Sequence, residues 1–206
     1  MSMQQWAMRL AGRSPLQSLA PRNVWDAALD EAIAAEAASW AETPTQGSKA
    51  DRLAVVAGLY LWNDSLDASH DVSQDVHTAT GSFWHGIMHR MEGDYGNAKY
   101  WFARTGSHPV FGELYAAAKR LLESPNGLDT VPAGRGRADL ESLLRSGSWD
   151  AYRFVDAVER QVSRERDEST VAVLEQIQWY ELALLLKYSY NRATGAELAL
   201  PEHPAS

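Results

Sequence analysis

The sequence predicts an all-α protein, a single-domain helical bundle of about seven helices. Alanine- and leucine-rich stretches run at helical length and spacing. No segment alternates apolar and polar residues between turn dipeptides, as half-buried strands would. Turn clusters such as TPTQG, SPNG and TVPAGRGR cut the chain into pieces long enough for helices but not for further domains. At 206 residues the chain suits one domain, 1–206, with a full hydrophobic core.

Residues 1–22, with Pro15 and Pro21, read as a loosely structured N-terminal arm, frayed or packed on a neighbouring subunit. The alanine-rich stretch 24–42 is a helix with Asn23 as its cap. TPTQG ends it. Ser48 or Asp51 can cap a long second helix running to about residue 76. A loop through Thr80 and Gly81 leads to a short helix over 82–91, the EGDYG turn follows, and 97–104 is again helical. Pro109 is placed to start a helix that ends near Glu123. After the TVPAGRGR loop come helices over 138–145, 149–167 and 169–192, then a polar tail over 196–206 in which His203 is set aside. The last helix, VAVLEQIQWYELALLLKYSY, is apolar on most faces and must lie at the centre of the fold or in a subunit interface. A homodimer is therefore expected.

Composition removes several function classes. Net charge is -8 and the basic residues are scattered, so no footprint for a phosphate backbone is present and nucleic acid is not an expected partner. The chain has no cysteine, which excludes disulfides, thiolate zinc sites, iron–sulfur clusters and a thiol nucleophile. The first residues lack the apolar core of a signal peptide and no apolar run reaches membrane-spanning length, so a cytoplasmic protein with no membrane partner is expected. There is no G-x-S-x-G elbow, no phosphate-binding loop and no dinucleotide fingerprint; no cofactor is implied.

The chemistry concentrates in residues 62–111, which hold five of the six histidines, three of the eight tryptophans, and Arg90, Lys99 and Arg104. Ionisable groups mixed with large aromatics mark a pocket more readily than a core or a wet surface. On a continuous helix over 48–76, Leu53, Ala57, Tyr60, Asp64, Asp67 and Asp71 share one stripe, with Gln74 at its edge. That stripe begins apolar and turns acidic, with His70 on the same rim; the competing reading is a helix that emerges into solvent after Trp62.

His85 and His89, in WHGIMHR, sit four residues apart and project to one side of a helix. The spacing suits an acid and a base flanking one substrate, or two ligands on one metal. Gly86 stands where a zincin motif would place its glutamate, so that motif is absent. A metal would need a third ligand, for which Asp64, Asp67, His70 or Glu92 could serve; Asp67 is the choice paired with His85 and His89. Arg90 and Lys99 offer anion-binding donors, Tyr95 or Tyr100 a phenol, Asn97 an amide, and Trp84, Trp101 and Phe102 flat walls. Asp64 and Trp62 complete the expected substrate-binding set. The competing reading makes Arg90 and Lys99 ion-pair partners of Glu92 and Asp94, beside core aromatics. His108, before Pro109, reads as a turn or cap residue.

The words LYLWNDSLDASHDVSQ, GSFWHGIMHRMEGDYGNAKYWF and GSHPVF resemble a group of bacterial proteins of about this size, mostly of unassigned function. In an actinobacterial setting the chain is similar to the small helical proteins encoded with p-terphenyl (terfestatin or echoside type) biosynthesis, which act with a reductase in converting a dihydroxyquinone to a phenolic terphenyl. The resemblance implies a cofactor-free dehydratase of natural-product biosynthesis and transfers no catalytic residue.

Three functions are therefore expected in order. The first is a lyase that removes water from a hydroxylated ring ketone or quinoid substrate, with His85, His89, His70, Asp67 and Arg90 as its catalytic set. A divalent-metal hydrolase or oxygenase on His85, His89 and Asp67 comes next. The third is a non-catalytic protein that binds an aromatic ligand.

Overall fold

The computed structural model of the protein describes residues 2–42 and 46–204. Residues 43–45 of the TPTQG break, the first residue of the arm and the last two of the tail lie outside the described residues. Among the described residues there are ten α-helices and no strand, against the seven or so expected. They are α1 (Met3–Ala11), α2 (Ala27–Glu42), α3 (Lys49–Trp62), α4 (Leu66–Ser73), α5 (Ala79–Glu92), α6 (Tyr95–Thr105), α7 (Val110–Leu122), α8 (Arg135–Arg145), α9 (Ala151–Arg160) and α10 (Glu168–Thr194). A 3-10 turn spans Leu128–Thr130, and a π turn over Gln161–Glu165 ends α9, so the helix expected over 149–167 stops short of its predicted end.

The expected loose arm is instead a capped helix followed by a tethered segment. Ser2 and Gln5 form a reciprocal capping box at the start of α1, which buries Trp6, Ala7, Leu10 and Ala11. Downstream, Arg13 donates to the carbonyl of Trp62 at 3.2 Å, and Gln17 to that of Leu61 at 2.7 Å. Trp179 of α10 closes the arrangement by donating to the carbonyl of Ala11 at 3.0 Å.

The long second helix expected over 48–76 is broken. Ser48 caps α3 through a capping box with Asp51, but the helix ends at Trp62 and α4 starts afresh at Leu66. At the break Asp64 adopts φ +63°, a left-handed conformation that costs a non-glycine residue about 1–2 kcal/mol. It is held there from outside: Arg13 Nη2 meets one carboxylate oxygen at 2.9 Å and Gln17 Nε2 the other at 2.6 Å. The stripe that joined Tyr60 to Asp67 and Asp71 therefore has no continuous helix to lie on.

α10 is the centre of the bundle. Leu174, Ile177, Leu182, Leu185 and Leu186 are all fully buried, and the helix packs on α3 and α7. The apolar faces that suggested a subunit interface are covered within one chain. No described helix is long and apolar enough to cross a membrane.

α5 carries the histidine pair and is wedged among α3, α4 and α6. Thr78 caps its start and Gly93, at φ +92°, ends it. Two glycines permit the wedge. A Cβ on Gly58 of α3 would lie 2.5 Å from the indole of Trp84, and one on Gly86 would meet the ring of Phe102 at 3.1 Å. The position where a zincin carries its glutamate is thus filled by an aromatic ring of α6.

Candidate functional site

Three imidazoles converge. His70 comes from α4, His85 and His89 from successive turns of α5. One ligand nitrogen from each lies within 4.8 Å of the others. His85 and His89 stack at 4.7 Å with their planes 25° apart, as the four-residue spacing implies. His70 stands nearly perpendicular to both, at 4.8 Å and 78° from His85 and 5.5 Å and 77° from His89. His85 and His89 are buried and His70 is half-buried, so the cluster meets the surface on the α4 side.

Two of the rings, and the helix that carries the third, are held by something other than their companions. Trp101 of α6 lies flat on His85, with ring centres 4.0 Å apart and planes at 14°. Glu92, one turn after His89, holds Nδ1 of that residue at 2.7 Å. Ser69, the residue before His70, donates to the carbonyl of Ala57 at 2.9 Å and pins α4 to α3. Burial, then the neighbouring His89 and His70, push the His85 imidazole down to about 4, with a weaker opposing pull from the Ser73 carbonyl. Its Nδ1 is buried without a hydrogen-bond partner.

Other expected site residues are engaged elsewhere. Arg90 is fully buried and forms a bidentate pair with Glu181 of α10, at 2.5 and 3.2 Å, with Gln178 Oε1 at 3.3 Å and the Phe154 ring beneath its guanidinium at 4.6 Å. Burial pushes the Glu181 carboxyl up, and the guanidinium of Arg90 holds against it. This is a structural ion pair. Its neighbours in sequence, Glu92 and Asp94, are the partners expected, whereas Glu181 lies 91 residues away.

Trp62 and Trp84 are fully buried core residues rather than pocket walls; Trp62 packs edge-on against Trp179, and Trp84 donates to Ser189 at 3.1 Å. Asp64 is committed to Arg13 and Gln17. Asp67 is exposed on α4 and lines a cleft of about 400 Å³ with Arg22, Asp30 and Asp64, bordered by none of the three imidazoles. It is not positioned as their third ligand.

Lys99 pairs with Asp156 at 2.5 Å across α6 and α9 on the surface. Asn97 donates its side chain and backbone N–H to Asp94, capping α6. Tyr95 is half-buried, its hydroxyl pushed up by burial. Tyr100 is 54% exposed and stands edge-on to Trp101 at 5.5 Å. Of the aromatic wall, Trp101 alone touches the imidazoles directly, and Arg104 lies over it at 5.4 Å.

His108 is a cap, as its position before Pro109 suggests, and also a core residue. Its Nδ1 accepts from the Val110 N–H at 3.3 Å and its Nε2 faces Thr80 Oγ1 at 3.2 Å. Two features escaped the sequence reading although their spacing was available: the three-residue steps from His89 to Glu92 and from Trp101 to Arg104.

Against known proteins, no family model, curated protein or solved structure matches the chain. What can be argued about function rests on the cluster.

Proposed function

We propose that the protein is a small-molecule enzyme of the lyase class and that the His70, His85 and His89 cluster is its reaction centre. The supporting observation is the convergence of three imidazoles from two helices onto one spot beside an indole face, with nitrogens within 4.8 Å of one another. Groups that both accept and return protons at such separations suit an elimination. The substrate class comes from the p-terphenyl resemblance: a hydroxylated ring ketone or quinoid compound. One C–H and one C–O bond break, a ring double bond forms, and the abstracted proton leaves with the hydroxyl as water. Aromatisation to a phenol drives the reaction. Trp101 and the exposed Tyr100 offer flat surfaces beside the cluster for such a ring.

Arg90, Lys99 and Asp64 have no part in this reading, because each is held by a partner elsewhere. The hydrolase or oxygenase alternative would use the same centre. The test is incubation of the purified full chain with a panel of hydroxylated cyclic enones and reduced quinones, following loss of water by mass and gain of phenolic absorbance. Turnover is expected, and His70→Gln and His85→Gln should each lower it by about 10²-fold or more. Saturable binding across the panel with no turnover would replace the lyase by a ligand-binding protein.

A further inference from the structure

Neither Arg90 nor Lys99 brings its charge to the cluster. An elimination next to a ketone builds negative charge on the carbonyl oxygen, yet Arg90 faces Glu181 and Lys99 faces Asp156. We infer that His70, His85 and His89 together hold one divalent first-row transition-metal ion, with Glu92 as the residue that positions His89 from outside. The inference takes only the location of the centre from the proposed function; its chemistry goes beyond that reading.

Four observations carry it. First, the ligand set is three imidazoles, a set that suits zinc, iron, nickel and copper rather than calcium or magnesium, which take oxygen. Second, the directions suit a single ion. Two rings rise from one helix face, and the third crosses them at 77–78° from a neighbouring helix. Nitrogens on a tetrahedral zinc are about 3.4 Å apart, so separations of up to 4.8 Å must close by at most about 1.4 Å, a shift within the reach of side-chain rotation. Third, Glu92 at 2.7 Å from Nδ1 of His89 leaves Nε2 as the free lone pair, the carboxylate–histidine arrangement that commonly backs a metal ligand. Fourth, Nδ1 of His85 is a buried polar atom with no partner, on a residue only 2% exposed.

Three protein ligands leave at least one coordination position for water or substrate. With their lone pairs on the ion the three imidazoles would no longer take the proton themselves. On the ketone substrates above the ion would polarise the carbonyl and its bound water would serve as the base, in place of the imidazoles.

A second acidic grouping, His89 with Glu92 and Asp94, also brings ligand atoms within 4.8 Å. It is less suited: Asp94 already accepts from the backbone and side chain of Asn97, and Glu92 is already committed to the His89 ring.

The experiment strips the full chain with a chelator and titrates it with Zn²⁺ by calorimetry, then with Co²⁺ by visible absorption. One equivalent per chain is expected, with the absorption of a nitrogen-ligated, four- or five-coordinate cobalt. His70→Ala, at the half-buried edge, should abolish stoichiometric binding without unfolding the protein. Glu92→Gln should weaken it by about 10–100-fold and shift the cobalt bands, while the melting temperature of the stripped protein stays put. Absence of a one-equivalent site in the folded wild-type chain would overturn the inference. So would a site lost in Asp94→Asn but kept in His70→Ala, which would move the ion to the outer group. The two readings separate cleanly. Metal bound without turnover on the panel removes the lyase and keeps the ion; turnover by a chain that shows no one-equivalent site does the reverse.

Discussion

Replacing Arg90 by methionine should destabilise the protein by about 3–5 kcal/mol, the usual cost of stripping one partner from a buried ion pair. The structure gives the reason for a value at that level. The Arg90 side chain is wholly buried, it spans both oxygens of Glu181 at 2.5 and 3.2 Å, and Glu181 is itself wholly buried. Removing the guanidinium leaves a carboxylate without water and without a counter-ion, and also uncovers one face of Phe154. Glu181 can escape part of the penalty by taking a proton, since burial already pushes its carboxyl upward, but it then still lacks its hydrogen-bond partners. The double variant Arg90→Met/Glu181→Met removes both charges and fills similar volume. Such replacements are often neutral or better, so it should recover at least about 2 kcal/mol relative to the single variant. Urea unfolding followed by the fluorescence of the eight tryptophans measures both. A single variant within about 1 kcal/mol of wild type, or a double variant no more stable than the single, refutes a structural role for the pair. The same double variant tests function: if Arg90 is only structural, ring-ketone turnover and zinc affinity survive in it.

Three further outcomes follow from the structure. His108 is pushed by burial from 6.5 to about 4, so its contribution is intact above pH 6.5 and drains away as pH falls towards 4; the loss is about 3 kcal/mol, and His108→Gln should flatten that part of the stability–pH curve in urea titrations. Asp64→Ala strips the buried Arg13 of its partner, and a cost of about 3–5 kcal/mol is expected; an unchanged urea midpoint would show that the break after Trp62 does not depend on that pair. Trp101→Ala removes the indole lying on His85 and should weaken zinc binding severalfold by calorimetry, because the ring it holds becomes free to turn; unchanged affinity would mean the stack positions nothing.

The all-α class was legible because helix length, alanine and leucine content and the absence of alternation agreed with one another. The breaks were not. Asp64, a residue type that tolerates the left-handed region, is held there by Arg13 and Gln17, 51 and 47 residues earlier in the chain, and nothing local announces those partners. The arm was misread for a different reason. Pro15 and Pro21 suggested looseness, while the Ser2–Gln5 capping box that starts α1 went unused. In the site, the His85 and His89 pair could be seen from its spacing alone. His70 was placed beside it on a continuous helix that does not exist, and arrives there by the α3–α4 corner instead. Arg90, Trp62 and Trp84 read as site residues in the sequence because composition cannot separate a buried structural group from a pocket group. The distinction depended on Glu181 and Ser189, far along the chain.

The ties between the first helix and the last have a consequence for how the molecule is made. Trp179 reaches Ala11 across 168 residues, and Gln178 reaches Ser18 across 160. During synthesis, residues 3–18 therefore leave the ribosome long before the α10 side chains that tie them down exist. Loops that long are closed late, because their entropy must be lost before their contacts form. A nascent chain stalled before residue 168 would hold residues 3–18 by their contacts with α3 and the corner after it alone, a partial cover of the kind that chaperones of incomplete proteins meet.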